Sequence, residues 1–262
     1  MTLPTSDEVH VETRERGLVW ITVQRPHKHN ALARPVLAAV AAAVRHAGDD
    51  AATRCVVVTG AGDKYFAAGG DLVDLMSVRS DAEVADMVAS ARGALDALRD
   101  CPVPTVALLN GDAIGGGAEL ALACDLRLQC AHARIGYVQG RLAITPAWGG
   151  GTDLIALLGP ARALRMATRC EMVDAPTALA WGLADAVIGS GDTREPDIAA
   201  FLQPLLERAP QVLRGLKAQT RAWRRAASWD ERRALEQQHL SATWRHDDHW
   251  QVAERILSKE KQ

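Results

Sequence analysis

The sequence predicts an α/β fold in which strands alternate with helices over the first part of the chain and helices dominate the last. Three observations carry this. Short apolar β-branched runs at 55–60, 105–110 and 125–130 read as buried strands, stretches of helical apolar spacing separate them, and after about residue 150 almost every segment has helical character.

The elements follow in order. VHVET (9–13) and LVWITVQ (18–24) alternate apolar and polar residues around a short ERG turn, the pattern of a half-buried hairpin. Beyond Arg25-Pro26, an alanine-rich helical pattern covers 34–47 and leads into the strand CVVVTG. A loop from Ala61 to Asp74 precedes a helix over 81–99, where Val84, Met87, Val88, Ala91, Leu95 and Leu98 recur at helical spacing. TVALLN is the next strand, IGGGAELALACD a helix, and DLRLQC and RIGYVQ two further strands. The unit of two strands and a helix recurs as a rhythm without a detectable sequence repeat. Helices are then predicted at 151–158, 160–168, 175–181, 197–208, 210–226, 229–244 and 248–258, with ADAVIG as the one strand among them. This divides the chain into a core over 1–193 that carries the site and a helical region over 194–262. Trp223, Trp229, Trp244 and Trp250 need a surface to pack against, in the core or at a subunit interface.

Composition sets outer limits. A chain of 262 residues with 48% hydrophobic positions can bury a full core. Its net charge of -2, from 30 basic and 32 acidic residues, gives no footprint for nucleic acid or an anionic membrane. No apolar run reaches the roughly 18 residues of a membrane span, and MTLPTSDEVH lacks the regions of a signal peptide, so a cytoplasmic protein is expected. Cys55, Cys101, Cys124, Cys130 and Cys170 lack metal-ligand spacing and read as small core residues, so no metal site is expected. His27, His29, His246 and His249 sit among polar neighbours and suggest neither a triad nor a metal site.

Two glycine patterns compete for the chemistry. CVVVTGAGDKYF starts like a dinucleotide-binding loop, which would make the chain a nicotinamide-dependent oxidoreductase, but Tyr65 stands where the third glycine is needed and no helix starts at Gly62. A P-loop is excluded because no glycine precedes Lys-Ser or Lys-Thr. Ala67-Ala68-Gly69-Gly70-Asp71-Leu72 and Gly115-Gly116-Gly117-Ala118-Glu119, by contrast, each follow a strand and lead toward a helix. Glycines there leave backbone N–H groups unobstructed, and two such groups converging on one point would hold an oxyanion. Within the second loop, Glu119 is a single carboxylate among small apolar residues, a costly placement unless it is paired, protonated or used.

With ITVQRPHKHNAL, YFAAGGDL, PTVALLNGDAIGGGAELALACDLRL, RIGYVQGRLAITPAWGGGTDL and ALAWGLADAVI in that order, the sequence resembles the crotonase superfamily of enoyl-CoA hydratases and isomerases. The resemblance implies a crotonase-type spiral of ββα units with a C-terminal α-helical trimerisation region, a homotrimer or hexamer, and an acyl-CoA thioester as substrate. Coenzyme A is then part of the substrate, and no separate cofactor is implied. By motif position, Gly70 and Gly116 resemble the two oxyanion-hole donors, the backbone around Ala68 and Leu72 the adenine-binding loop, and Lys28, Asn30 and Ala31 the segment along coenzyme A. Tyr137, Arg141 and Trp148 are candidates for the acyl pocket, with Tyr137 preferred, while Asp71 reads as a cap or bridge to nearby backbone.

Glu119 matches one of the two glutamates that hydratases of this family use on a shared water. The second position, after the RIGYVQG strand, holds Gln139, which cannot exchange a proton at neutral pH. Decarboxylation forms an enolate without a base and needs only one ionisable group, and Trp148 before the glycines resembles the ethylmalonyl-CoA and methylmalonyl-CoA decarboxylase branch. The leading expectation is therefore a lyase that decarboxylates a short malonyl-type thioester, with Glu119 as acid or orienting group. An enoyl-CoA hydratase with reduced acid-base equipment and a non-catalytic acyl-CoA-binding protein are the alternatives.

Overall fold

The computed structural model describes residues 6–259, so residues 1–5 of the opening segment and residues 260–262 lie outside it. Strands β1 (Val9–Arg14) and β2 (Leu18–Val23) form the expected antiparallel hairpin, with Val9 opposite Val23 and Arg14 opposite Leu18. Helix α1 (Arg34–Asp49) buries Val36, Leu37, Val40 and Val44, the apolar stripe that its alanine-rich pattern predicts.

Three strand pairs then follow with the same geometry. β3 (Cys55–Gly60) and β4 (Tyr65–Ala67), β5 (Thr105–Leu109) and β6 (Asp112–Ile114), and β7 (Leu126–Cys130) and β8 (Arg134–Gly136) each send their first strand to one sheet and their second to another. With β9 (Met172–Asp174) and β10 (Ala186–Ile188), the six-stranded sheet runs β1-β2-β3-β5-β7-β10 and the four-stranded one β4-β6-β8-β9. The central strands β3 and β5 are buried along their whole length, as parallel strands covered on both faces must be.

Helices α2 (Leu72–Leu75) and α3 (Asp81–Asp100) follow β4, α4 (Gly116–Ala123) follows β6, and α5 (Gly150–Arg169) follows β8. They stack in chain order, α1 on α3, α3 on α4 and α4 on α5. A capping box between Ser80 and Glu83 starts α3, and all eight residues of α4 are buried, Glu119 included. Helices α6 (Ala175–Trp181), α7 (Arg194–Leu206), α8 (Pro210–Arg224), α9 (Trp229–Trp244) and α10 (Asp247–Lys259) complete the described chain.

Several expectations need correction. The RIGYVQ strand stops at Gly136, and Gln139–Leu142 form a 3₁₀ turn that aims Gln139 inward. The helices expected at 151–158 and 160–168 form one run broken at Gly159, whose φ of +74° precedes Pro160. Trp223, Trp229, Trp244 and Trp250 are 49 to 70% exposed, so the single chain does not bury them as core.

One buried ion pair fastens the segment after β2 to the first glycine loop. Arg25 donates to Asp71 at 2.9 Å, and both side chains are almost fully buried. Asp71 also caps α2 by accepting the Val73 N–H, which agrees with its structural reading. Arg25→Ala removes the buried cation closest to the Asp71 carboxylate and is expected to destabilise the protein by about 3 kcal/mol in urea unfolding.

Candidate active site

The parallel pairing of β4 with β6, Ala67 beside Ala113, brings the two glycine loops to the same sheet end. Gly69 (φ +101°) and Gly115 (φ +56°) both adopt left-handed backbone that L side chains rarely enter. The loops abut: a Cβ at Gly69 would lie 3.1 Å from the Ile114 carbonyl oxygen and 3.4 Å from the Gly116 nitrogen. Gly70 and Gly116, separate in sequence, also face one side chain in common. A Cβ at Gly116 would lie 2.7 Å from Cη2 of the Trp148 indole, and one at Gly70 would lie 3.5 Å from the same atom.

The segment 28–32 runs beside the first loop. Ala68 N–H donates to the His29 carbonyl, Leu32 N–H to the Gly69 carbonyl, and Asp71 N–H to the Leu32 carbonyl. Lys28, Ala31, Ala68 and Leu72 are thereby gathered along one strip, with Leu72 exposed and Lys28 Nζ 3.8 Å from Asp71. Asn30 is buried, and its amide is spent on the loop: it accepts the Arg25 N–H and donates to the Ala61 and Tyr65 carbonyls.

Glu119 is 2% exposed, and three donors hold its carboxylate. Oε2 accepts the backbone N–H groups of Trp148 at 2.9 Å and Gly150 at 3.0 Å, and Oε1 accepts Nε2 of Gln139 at 3.0 Å. Gly150 opens α5, so the N-terminus of that helix faces the carboxylate. Burial pushes the Glu119 carboxyl above its ordinary 4.5, and the two N–H groups, the Gln139 amide and the Arg99 guanidinium only partly offset this. Gln139 is 8% exposed, and its Oε1 has no hydrogen-bond partner among the described residues. The amide orientation follows from the carboxylate, since turning it around would set two acceptors against each other.

Arg99, which sequence reasoning missed, braces this arrangement. It donates to Asp153 on α5 at 2.7 Å, to Asp96 at 2.7 Å, and to the Trp148 carbonyl at 3.3 Å. The Arg99 to Asp153 pair spans 54 residues of sequence, and no spacing signals it. Gly150 was equally hidden, although the glycine triplet 149–151 hints at close approach: a Cβ there would lie 2.5 Å from both Cβ and Cγ of Glu119.

Tyr137 is buried, and its hydroxyl donates to the Gly150 carbonyl at 2.8 Å, so in this structure it supports the α5 start. It also lines an apolar cavity of about 500 Å³ with Ala147, Leu154 and Ile155. That cavity includes neither glycine of the pair and no carboxylate. Arg141 donates to the Cys170 carbonyl. The five cysteines are free and buried, and burial pushes the Cys124 thiol up to about 12. Among the described residues no cluster of three or more His, Cys, Asp or Glu is placed to hold a metal, and no helix is long and apolar enough to cross a membrane.

Two sheets fed by successive strand pairs, with helices stacked in chain order, define the crotonase fold. An enoyl-CoA hydratase from Bacillus anthracis superposes with a TM-score of 0.89 over 97% of both chains, at 26% identity. The enoyl-CoA hydratase/isomerase family profile matches residues 13–261, and the chain belongs to that family. It is 32% identical to the mitochondrial methylglutaconyl-CoA hydratase of Mus musculus over 219 residues, 81% of this chain and 69% of the relative. It is 30% identical to the crotonyl-CoA hydratase of Syntrophomonas wolfei over 205 residues, 78% of each.

Proposed function

We propose that the chain adds water to a short 2-enoyl-CoA, and removes it in the reverse direction, with Glu119 as the single acid-base group. The hydratase alternative replaces the decarboxylase as the leading reading. The relatives named above are hydratases, and nothing in them supports decarboxylation. One observation carries the reading: the buried Glu119 carboxylate lies beside a buried Gln139 Oε1 that lacks a donor. A water there would donate one proton to Glu119 Oε1, which keeps a free lone pair, and the other to Gln139 Oε1. Glu119 Oε2 already holds two N–H groups and is filled.

The steps balance with one water. Glu119 takes a proton as the water oxygen bonds to the β-carbon, and the displaced π electrons move to the thioester oxygen. The N–H groups of Gly70 and Gly116 stabilise that oxyanion. Glu119 then returns its proton to the α-carbon, and the enolate collapses to the 3-hydroxyacyl thioester. Gln139 serves as the second acceptor for the water, the task a second carboxylate would otherwise share. Ala68, Leu72, Ala31 and Lys28 line the strip assigned to the coenzyme A portion.

The test is loss of enoyl-thioester absorbance with crotonyl-CoA and 3-methylglutaconyl-CoA, run beside carbon dioxide release from ethylmalonyl-CoA and methylmalonyl-CoA. Carbon dioxide release without hydration would overturn the proposal, and binding without turnover would return the chain to a non-catalytic role. Gln139→Glu gives an independent check. A second carboxylate about 3 Å from Glu119 raises the upper apparent pKa of the pair, because both cannot ionise freely. One ionised carboxylate serves the reaction, so the acidic limb of kcat/KM follows the first ionisation, and the variant is expected to show a second titration at least about one pH unit above it; a profile with no second titration would separate Gln139 from the acid-base step.

A further inference from the structure

We infer that the Trp148 indole is the wall that restricts the substrate to a short acyl chain. This rests on the reading of Gly70 and Gly116 as the pair that holds the thioester oxygen. The benzenoid edge of the indole faces both glycines at once, with Cη2 2.7 Å from a Cβ built at Gly116 and 3.5 Å from one built at Gly70. An oxygen held between these glycines places the α- and β-carbons of the acyl group against the same ring. Leu75 closes in from α2, its Cδ1 3.0 Å from a Cβ at Gly70.

The ring cannot withdraw cheaply. Trp148 is 8% exposed, its N–H is bound to Glu119 Oε2, and its carbonyl accepts from Arg99. Moving the backbone to free the ring would break the clamp on the same carboxylate that the chemistry uses. Trp148 therefore sets chain length through its side chain while its backbone positions Glu119, and the two roles separate on substitution because any replacement except proline keeps the N–H.

The affinities of wild type, Trp148→Ala and Trp148→Phe for butyryl-, hexanoyl- and octanoyl-CoA, measured by titration calorimetry, test this directly. Each methylene that the wall rejects costs on the order of 10-fold, so rejection of only two of the four extra methylenes already makes wild type bind octanoyl-CoA about 100-fold more weakly than butyryl-CoA. In Trp148→Ala that ratio is expected to fall below about 10, with Trp148→Phe between them. The phenylalanine variant keeps a buried aromatic ring and carries the test if the alanine variant fails to fold. A wild type indifferent to chain length, or variants with the wild-type ratio, would overturn the inference. Saturated thioesters need no turnover, so a chain-length preference that Trp148→Ala relaxes, in a protein that hydrates nothing, would support the wall and overturn the hydratase. Failure to bind any of the thioesters would overturn the glycine pair and the wall together.

Discussion

Replacing Glu119 with glutamine is expected to lower kcat for hydration by about 10²- to 10⁴-fold while the protein stays folded. The geometry explains both halves. A glutamine carbonyl at the Oε2 position still accepts the Trp148 and Gly150 N–H groups. Its amide can donate to Gln139 once that side chain turns its unpartnered Oε1 around, which moves the Gln139 amide to the water-binding side and leaves the clamp on the other oxygen intact. What disappears is the group proposed to take and return a proton. The proposed mechanism needs Glu119 ionised, so activity is expected to fall as pH drops through its raised value, above the ordinary 4.5. Glu119→Gln should lose that limb along with the rate.

Stability moves the opposite way. Burial raises the folded Glu119 above its unfolded value, so the folded chain binds the proton more tightly. Its favourable contribution is present at low pH and is lost as pH rises through the raised value. The glutamine variant should therefore gain stability relative to wild type between acid and neutral pH. Urea midpoints at several pH values measure this, and a gain on acidification instead would contradict the assignment.

Gly150→Ala is expected to destabilise the protein by about 2 kcal/mol and to lower kcat/KM at least about 10²-fold. The new Cβ would lie 2.5 Å from Cβ and Cγ of Glu119 and 2.7 Å from its Cα, on a helix buried along its whole length. Neither side can yield without moving the carboxylate or the N–H that binds it. Gly151→Ala is the control. Its Cβ would meet Pro146 at 3.5 Å, an ordinary contact, so both stability and activity should stay near wild type. Equal losses in the two variants would mean that helix strain, and not contact with Glu119, sets the cost.

The long strands were legible because burial on both faces writes itself as an apolar run, as in CVVVTG and TVALL. β4, β6 and β9 are three residues each and lie within loop or helix-flanking sequence that carries no alternation, yet the first two deliver the glycine loops. Position in the motif singled out Gly70, Gly116, Glu119 and Gln139, and the structure brings Glu119 beside Gln139 and both glycines against one indole. The Trp148 and Gly150 donors were not legible, nor was the Arg99 brace, because each bond joins residues from different turns of the spiral.

By itself the sequence determined the strand-helix rhythm, the glycines that free backbone N–H groups, and a lone carboxylate whose second partner is an amide. Those are local properties of residue type and periodicity. Only the tertiary structure decided which helix N-terminus receives the Glu119 carboxylate, which acceptor is left without a donor, and which ring faces the glycine pair. The partners of Glu119 lie 20, 29 and 31 positions away, and strand register and helix stacking bring them within 3.0 Å. Hydrophobic pattern records which face of an element is buried, but it does not record what that face will meet.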